Sequence, residues 1–406
     1  MLRKKPPGQR RKTMKRYVKS ELLYRFARIG AIDRRITSQH IEKARSKMLS
    51  AAEAAAGEKD EEGMRRAVAA ARSRWPEYYD RIVKSVEREL NGSPYCRAIG
   101  DQDRLKTEML FDWFAYGFSA EEFVCYEMHG MPAEEKQTYM SGQDCIVALN
   151  RMNRLADREV FNNKGRTYAR FRKYYQRDGV YISAKKDFGR FREFADAHPV
   201  FVKKAVFEAM GRSVELMDMS ACGMTPRELF DKLIAVGPHL LEERVIQTAE
   251  MASLNASSVN TVRCITFNTR HGLEDPYYFI KIGRAGSFVD NGGAGGILVG
   301  IDRETGCFMT DGFDEMENRY ESHPDSGVRF KGFQLPEWEQ MKRICLEMSA
   351  QMPGVKFIGW DMAHTEKGWV LIEGNGMGML IGPQAVFKRG IKKEVEAYMA
   401  DMDLKI

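Results

Sequence analysis

The stretch that decides the fold reads Gly359-Trp-Asp361-Met-Ala-His-Thr-Glu-Lys-Gly368-Trp-Val-Leu-Ile-Glu373-Gly-Asn375. Two short apolar runs flank a polar segment that ends in glycine, which predicts a β-hairpin. Because side chains alternate between the two faces of a strand, one face of this hairpin is expected to enter a core. The side chains expected on that face are Met362, Val370 and Ile372.

The same alternation places Asp361, Glu373 and Asn375 together on the opposite face of the hairpin. Two carboxylates and an amide oxygen are hard ligands that suit Mg²⁺, which completes its shell with water and phosphate oxygens. The alternative is a solvated outer face without function. The strongly apolar remainder of the hairpin, and its continuation into Gly376-Met-Gly378, favour a metal site.

The whole chain has the composition of a soluble globular enzyme with two or three domains. It has 406 residues, of which 43% are hydrophobic and 30% charged. No apolar run approaches the roughly 18–20 residues that span a bilayer, and the basic N-terminus lacks the apolar segment of a signal peptide, so we expect a cytoplasmic protein. Its seven cysteines are scattered without C-x-x-C spacing, which predicts reduced thiols and no zinc site.

Positive charge is concentrated at the N-terminus. Residues 1–20 hold nine Lys and Arg and no acid, and the net charge of +7 falls to −2 when these nine are set aside. Such a tail could touch an anionic surface or serve only as a disordered solubilising arm. Specific nucleic-acid binding is not expected, because the body of the chain is not basic.

The order of sequence patterns predicts an α+β protein with mostly antiparallel strands. We expect a disordered tail over 1–20, a satellite helical segment over 21–100 and a further helical part over 101–199. A small subdomain over 200–250 and a catalytic subdomain over 251–406 follow. The expected helices include one from Ser38 to about residue 56, others ending near residue 74 and beginning at Trp75-Pro76, three within 103–155, and those over 163–178, 225–236 and 335–352. The expected strands cover 200–206, 213–219, 239–247, 258–269, 276–284, 295–302, 307–313 and the terminal hairpin.

Lysines and arginines at special positions are candidate phosphate ligands. Lys164 lies in the first turn of a predicted helix, and Lys203 and Lys204 lie within an apolar strand, where an unpaired ammonium is costly. Arg263 and Arg284 lie on or at the end of predicted strands and could clamp a phosphoryl group or a carboxylate. Edge-strand lysines and ordinary surface arginines are the competing explanations.

Three further segments fit a nucleotide site. The strand that contains Glu242, Glu243, Arg244 and Val245 could present backbone groups to an adenine edge, or could simply be half buried. The loop over 207–213 could cover phosphates, and the glycine-rich stretch over 291–296 would allow a substrate close to the backbone.

Taken in order, these motifs resemble the ATP-grasp superfamily, and most closely its sugar-transfer-associated family. The resemblance spans roughly residues 105–385. It is carried by the segments Ser257-Ser-Val-Asn-Thr-Val-Arg263, Ile282-Gly-Arg-Ala-Gly-Ser-Phe-Val-Asp-Asn291, His323-Pro-Asp-Ser-Gly327, Leu335-Pro-Glu-Trp338 and Ile358-Gly-Trp-Asp361 through Asn375. One departure is that the family usually has Lys-Pro where this chain has Lys203-Lys204.

The resemblance implies an ATP-grasp fold, in which two α+β subdomains grip ATP, and it assigns roles to residues. Lys164 and Lys203 would contact the phosphates, Glu242 to Val245 would line the adenine pocket, and Glu250 would bind ribose. Two Mg²⁺ would be held by Asp361, Glu373 and Asn375. The catalytic positions would be Arg263, Arg284 and Asn260, and His323-Pro-Asp-Ser-Gly327 with Trp338 would border the acceptor.

The implied chemistry is a ligase that joins a small-molecule, peptide or sugar-acid carboxylate to an amine, or to a thiol, through an acylphosphate. ADP and phosphate would be released, and the family name suggests a cell-surface glycan or sugar-transfer pathway as one setting. A small-molecule kinase and a non-catalytic ATP-binding accessory protein remain the alternatives.

Overall fold

The structure is a computed structural model that describes residues 19, 22–27, 29–207, 214–288, 290, 295–378 and 380–405. Helices dominate the first 200 residues, and two antiparallel sheets follow. The helices are α1 (Gly30–Arg45), α2 (Ala51–Gly57), α3 (Glu61–Arg74), α4 (Pro76–Gly92), α5 (Pro94–Ala98), α6 (Gln102–Tyr116), α7 (Ala120–Cys125), α8 (Ala133–Lys136), α9 (Gly142–Met152), α10 (Leu155–Arg158), α11 (Lys164–Tyr175), α12 (Phe188–Ala197), α13 (Pro226–Val236), α14 (Ala249–Leu254), α15 (Trp338–Ala350), α16 (Ile381–Phe387) and α17 (Lys392–Asp401).

The smaller sheet has four strands in the order β1-β4-β2-β3, and every neighbouring pair is antiparallel. Its strands are β1 (Gly179–Ile182), β2 (Val200–Ala205), β3 (Val214–Asp218) and β4 (His239–Glu243). Helices α12 and α13 cover one face, where Phe191, Phe230 and Leu233 pack against Phe201 and Leu241 of the sheet. The other face of the small sheet is left to line a cavity.

The larger sheet has seven strands in the order β11-β10-β5-β6-β7-β8-β9, again antiparallel throughout. Its strands are β5 (Thr261–Asn268), β6 (Leu273–Ile282), β7 (Ile297–Gly300), β8 (Gly312–Phe313), β9 (Arg319–Tyr320), β10 (Phe357–Thr365) and β11 (Gly368–Asn375). The α+β class predicted from the sequence is therefore confirmed, as is the terminal hairpin of β10 and β11.

The two faces of the large sheet face different partners because its side chains alternate. Cys264 and Ile280 point to one side, where Met341 and Cys345 of α15 complete a core. On the other side, Phe267 shares a core with the helices of residues 51–152 and with the C-terminal helices. The N-terminal helices were expected to form a satellite, but the structure packs them onto the sheet as part of its core.

Several local predictions held because they rested on chain-local chemistry. The capping box of Thr225 and Glu228 starts α13, and Asn163 caps α11 with its side chain. The predicted start at Ser38 is wrong, because α1 already begins at Gly30 and the next helix is capped by Ser50. The predicted strand over 307–313 is reduced to β8, joined to isolated bridges at Cys307 and Phe308.

Strand β1 and helix α12 of the small subdomain were missed from the sequence. The predicted helix over 163–178 ends earlier, at Tyr175, and β1 follows it directly. Strand β1 pairs with β4, which lies some 60 residues further along the chain, and α12 covers the sheet they form.

Within the part of the chain that the structure describes, no helix is both long and apolar enough to cross a bilayer.

Candidate active site

A cavity of about 490 Å³ lies between the two sheets. The small sheet contributes Val202 and Lys204 to its wall, and α11 contributes Lys164. The large sheet contributes mostly polar side chains. They lie at one end of the sheet face whose remaining part is covered by the N-terminal helices. Those side chains are Thr261, Arg263, Lys281, Asp361, Glu373 and Asn375.

Strand alternation explains why charged groups converge at this end of the large sheet. Arg263 shares its face of β5 with Ile265 and Phe267, which are buried under the helices. The face is thus apolar where the helices cover it and charged where the cavity opens. Gly359 on β10 leaves space for the arginine, since a Cβ there would lie 3.2 Å from Cδ of Arg263.

Asp361 is the most strongly held carboxylate of the cavity. Arg263 donates to it twice, from Nε to Oδ1 at 2.6 Å and from Nη2 to Oδ2 at 3.0 Å, and Lys281 Nζ lies 3.1 Å from Oδ2. Burial alone would raise the pKa of Asp361, but the charges and hydrogen bonds of Arg263 and Lys281 outweigh it and lower the pKa to about 2. Asp361 is therefore ionised at neutral pH.

Glu373 lies directly opposite Asp361 in the β10–β11 ladder, and its Oε1 is 3.2 Å from Nζ of Lys164. Asn375 donates from Nδ2 to Oδ2 of Asp361 at 3.3 Å. The hairpin thus brings together the three oxygen-bearing side chains that the sequence predicted to share a face.

One part of the hairpin prediction is wrong. A register shift after Asp361 makes Ile372 an extra residue on β11, because Asp361 pairs with Glu373 while Met362 pairs with Leu371. Such a bulge sends two consecutive side chains to the same side. Ile372 therefore lines the cavity beside Glu373, and Leu371 takes the core position beside Met362.

The side chains of Asp361, Glu373 and Asn375 suit a hard cation only when phosphate oxygens help to complete its coordination shell. Among the described residues, no group of three or more His, Cys, Asp or Glu side chains could by itself hold a metal. Two carboxylates and one amide are nevertheless enough for Mg²⁺, which prefers to keep water and phosphate oxygens in its shell. Asp361, Glu373 and Asn375 would hold the ion beside the lysines and the arginine that contact these carboxylates.

The small sheet corrects the assignment of its lysines. Lys204 lines the cavity, and its Nζ lies 2.6 Å from Oε2 of Glu242. Lys203 points to the opposite face, where its Nζ lies 3.1 Å from Oε1 of Glu215. Adjacent residues on a strand face opposite ways, so only one of the pair can reach the nucleotide side, and the structure gives that place to Lys204.

Glu242 belongs to a buried charge cluster. Its Oε2 also accepts from Nη2 of Arg177 at 3.0 Å, and Arg177 Nη1 donates to the carbonyl oxygen of Leu371 at 2.7 Å. Burial would raise the pKa of Glu242, but Arg177 and Lys204 outweigh it and lower the pKa. Arg177 thus ties the small sheet to the strand that carries Glu373.

The segment after β4 forms one wall of the cavity. Glu243, Arg244 and Val245 line it, and Ile246 presents an apolar side chain that is 73% exposed. Their role in binding adenine stays a prediction. Glu250 is exposed on α14 and lies outside the cavity lining. Val245 and Ile246 form the apolar part of this wall, which offers a surface for a planar ring.

Two of the predicted catalytic residues lie elsewhere. Asn260 is fully buried, and its Nδ2 donates to the carbonyl oxygens of Met251 and Asn255, so it holds a turn together. Arg284 is outside the cavity lining and donates twice to Asp325, at 2.8 and 2.9 Å.

The His323 motif explains the position of Arg284. His323 donates from Nε2 to the carbonyl oxygen of Gly283 at 2.9 Å, and its Nδ1 accepts from the backbone of Asp325 and Ser326. The turn therefore docks beside Arg284 and offers it a carboxylate. Trp338 is buried in the core under the large sheet and donates to the carbonyl oxygen of Arg303.

Two charged residues of the cavity were missed from the sequence. Lys281 contacts Asp361, as described above, and Asp290 accepts from the backbone N–H of Thr261 at 3.1 Å and from its hydroxyl. Burial raises the pKa of Asp290. Lys281 of β6 lies on the same face of the sheet as Arg263 of β5, because Arg263 pairs with Phe279, two residues before Lys281. This placement can be recognised only when the register of the two strands is known.

The predicted loop over 207–213 lies almost wholly outside the described residues, and so does most of the stretch over 291–296.

A sequence model of the family described as sugar-transfer associated ATP-grasp matches residues 189–399, just over half of the chain. The chain belongs to the sugar-transfer-associated ATP-grasp family. The match covers the large sheet, three of the four strands of the small sheet, and all of the cavity wall except Lys164. The ATP-grasp fold predicted from the motifs is therefore confirmed, with the two sheets as the two gripping halves. In broad terms, membership supports ATP binding and ATP-dependent ligation.

The chain also shows a weak similarity to solved structures of ligases. The ATP-grasp ligase PsnB complexed with a minimal precursor is 11% identical, with a TM-score of 0.39 over 64% of this chain and 68% of PsnB. The Bacillus anthracis D-alanine–D-alanine ligase complexed with ATP is 13% identical, with a TM-score of 0.37 over 62% and 66%. An Aspergillus clavatus N5-carboxyaminoimidazole synthase in complex with ADP and an aminoimidazole ribonucleotide is 9% identical, with a TM-score of 0.38 over 70% and 58%.

The chain therefore covers less than two thirds of the last two ligases. These values are too low to carry an assignment, which rests on the family match. No curated protein matches the sequence.

Proposed function

We propose that this protein is an ATP- and Mg²⁺-dependent ligase that joins a carboxylate to an amine, or to a thiol, through an acylphosphate. The observation that carries the proposal is the convergence of Asp361, Glu373 and Asn375 with Lys164 and Lys204 in one cavity between the two sheets. This arrangement offers places for a nucleotide, for its metal and for its phosphates. Family membership gives independent support for ATP as the nucleotide.

The cavity has what phosphoryl transfer asks of a protein, which is positioning and charge neutralisation. The adenine would lie along the segment from Glu243 to Val245, and the phosphates would extend toward Lys204 and Lys164. Mg²⁺, when bound, would neutralise phosphate charge and hold the triphosphate against the hairpin. Arg263 has its planar, permanently charged group directly beside the metal-binding carboxylate, where it can steady the transferring phosphoryl group.

The proposed reaction balances without a nucleophilic side chain. A carboxylate oxygen of the substrate attacks the γ-phosphorus, the bond to the β-phosphate oxygen breaks, and ADP leaves with that electron pair. The nitrogen of the acceptor then attacks the acyl carbon, phosphate leaves, and the nitrogen loses a proton. The sequence offers no nucleophile-elbow or H-E-x-x-H motif that would suggest another chemistry.

The substrate is an open part of the proposal. The family description places related proteins near sugar transfer, and we therefore propose a cell-surface glycan or sugar-transfer setting for the carboxylate. Amino acids, sugar acids and short peptides are the classes to test first.

The decisive experiment is ADP release measured against a panel of those carboxylates, with hydroxylamine as a general acceptor. A ligase yields ADP and a hydroxamate in equal amounts with its own substrate, because hydroxylamine captures the acylphosphate. ADP without hydroxamate would instead indicate transfer to a hydroxyl and hence a kinase. ATP binding without turnover on any carboxylate would point to an accessory role, and absence of Mg²⁺-dependent ATP binding would overturn the proposal altogether.

A further inference from the structure

The N-terminal 45 residues differ in charge from the rest of the protein. They contain 15 Lys and Arg against three Asp and Glu, a net charge of +12, whereas the other 361 residues carry a net charge of −5. This asymmetry is more than a short basic tail, because it extends into α1, where Arg34 and Arg35 are exposed. An anionic surface would attract this end of the protein and repel the remainder.

An apolar patch lies within the same segment. Leu22, Phe26 and Ile29 are 47%, 48% and 59% exposed, which is unusual for large apolar side chains. Residues 22–27 are helical. We call these three side chains the apolar patch.

The apolar patch has a fixed outward orientation, because its neighbours are anchored to the body. Ala27 is buried against Leu155 and Ala156, and Leu23 packs on the same small cluster. The guanidinium of Arg166 lies 3.7 Å from the centre of the Tyr24 ring. With Leu23, Tyr24 and Ala27 held inward, the patch remains turned to solvent.

Asp33 secures the following helix as well. Its Oδ1 accepts a hydrogen bond from the backbone N–H of Leu155 at 3.0 Å. One of the few acidic residues of this segment therefore holds the segment against the body of the protein. The exposed side chains that remain nearby are the apolar patch and basic residues such as Arg25.

We infer that this end of the protein docks onto an anionic lipid bilayer. A basic segment beside exposed apolar side chains is the combination that binds a membrane surface stably, since the charges find anionic headgroups and the apolar groups enter the interface. Nucleic acid fits less well, because residues 1–21 contain a single aromatic residue, Tyr17, for base stacking.

The test is vesicle flotation of the full-length protein at about 150 mM salt, with neutral phosphatidylcholine vesicles and with vesicles that contain about 30% phosphatidylglycerol. Binding is expected only to the anionic vesicles. Each basic residue near an anionic leaflet contributes about fivefold to binding, so the variant Lys4→Gln/Lys5→Gln/Lys12→Gln/Lys15→Gln is expected to bind on the order of several hundredfold more weakly.

A control variant with four other lysines replaced shows whether the position of the lysines in the chain matters. The variant Lys59→Gln/Lys185→Gln/Lys186→Gln/Lys393→Gln removes four exposed lysines outside the N-terminal segment and should bind like the wild type. Equal losses in both quadruple variants would overturn the inference in favour of a net-charge effect.

The apolar patch is tested separately. Leu22→Ser/Phe26→Ser/Ile29→Ser should weaken vesicle binding by about tenfold or more. The matched control Val200→Ser/Leu216→Ser, which removes two similarly exposed apolar side chains from the small sheet, should leave it unchanged. Circular dichroism establishes that each variant is folded.

Several results would overturn the inference. One is the absence of binding to anionic vesicles. A second is full binding by the patch variant, which would leave only unspecific attraction. Concentration-dependent dimerisation abolished by the patch variant would assign the patch to a second copy. RNA binding lost in the lysine variant, without vesicle binding, would assign the tail to nucleic acid. None of these outcomes depends on ligase activity.

Discussion

Replacing Asp361 by Asn tests the charge network of the cavity most directly, because it changes one charge and almost no volume. Asp361 is buried, and it balances Arg263 and Lys281, whose side chains are only 14% and 13% exposed. Asp361→Asn would leave these two cations facing each other with little water to screen them. We therefore expect a clear loss of stability in the absence of any nucleotide.

The magnitude follows from the pKa of Asp361. Folding lowers the pKa of Asp361 from 3.8 to about 2, and at about 1.4 kcal/mol per pH unit the ionised form contributes about 2–3 kcal/mol to folding at neutral pH. Removing one partner of a buried pair costs about 3–5 kcal/mol, since the other charge is left unpaired. Because Asn can still accept a hydrogen bond, we expect a loss near the lower end, about 3 kcal/mol.

The measurement is urea unfolding followed by circular dichroism, for the wild type and for Asp361→Asn. The pKa is lowered on folding, so the stability from Asp361 is fully present above the unfolded value near 4 and is lost as the pH falls toward 2. The difference between the two proteins should thus be constant above about pH 5 and should shrink between pH 4 and pH 3.

Asp325→Asn is the matched control, because Asp325 also accepts twice from an arginine but lies on the surface, 25% exposed. An exposed pair contributes roughly 0–1 kcal/mol, so this variant should be nearly as stable as the wild type. The reasoning is refuted if Asp361→Asn is as stable as the wild type, or if both variants lose the same amount. Asp361→Asn is also expected to lower turnover by orders of magnitude, whereas Asp325→Asn is not.

Three further predictions test the cavity and the charge cluster beside it. Lys204→Met should weaken Mg²⁺-ATP binding at least tenfold in calorimetry, while the affinity of Lys203→Met should stay within about threefold of the wild type. A larger loss in Lys203→Met than in Lys204→Met would contradict the conclusion that Lys204 is the one that faces the cavity. Glu373→Gln should reduce turnover by orders of magnitude in a folded protein, and Glu250→Gln, on the exposed side of its helix, should keep most activity; equal effects would argue against the hairpin site. Arg177→Met should lower the unfolding free energy by about 2–4 kcal/mol, because it breaks a buried charge cluster between the small sheet and the last hairpin, and an unchanged urea midpoint would contradict that tie.

The sequence by itself determined what depends on local chemistry. The period-two pattern from Gly359 to Asn375 defined the last hairpin, and its alternation put Asp361 and Glu373 on one face. The box of Thr225 and Glu228 defined a helix start, since its hydrogen bonds join residues three apart. The order of motifs was enough to predict the ATP-grasp fold.

Only the tertiary structure decided how distant segments meet. Strand β1 finds its partner some 60 residues away, and the bulge at Ile372 depends on how β10 and β11 pair, so neither could be read from local periodicity. Whether Lys203 or Lys204 faces the cavity depends on which face of β2 the helices α12 and α13 cover. Side-chain alternation fixes that two neighbours point apart, but the packing of the whole fold determines which of them points to the site.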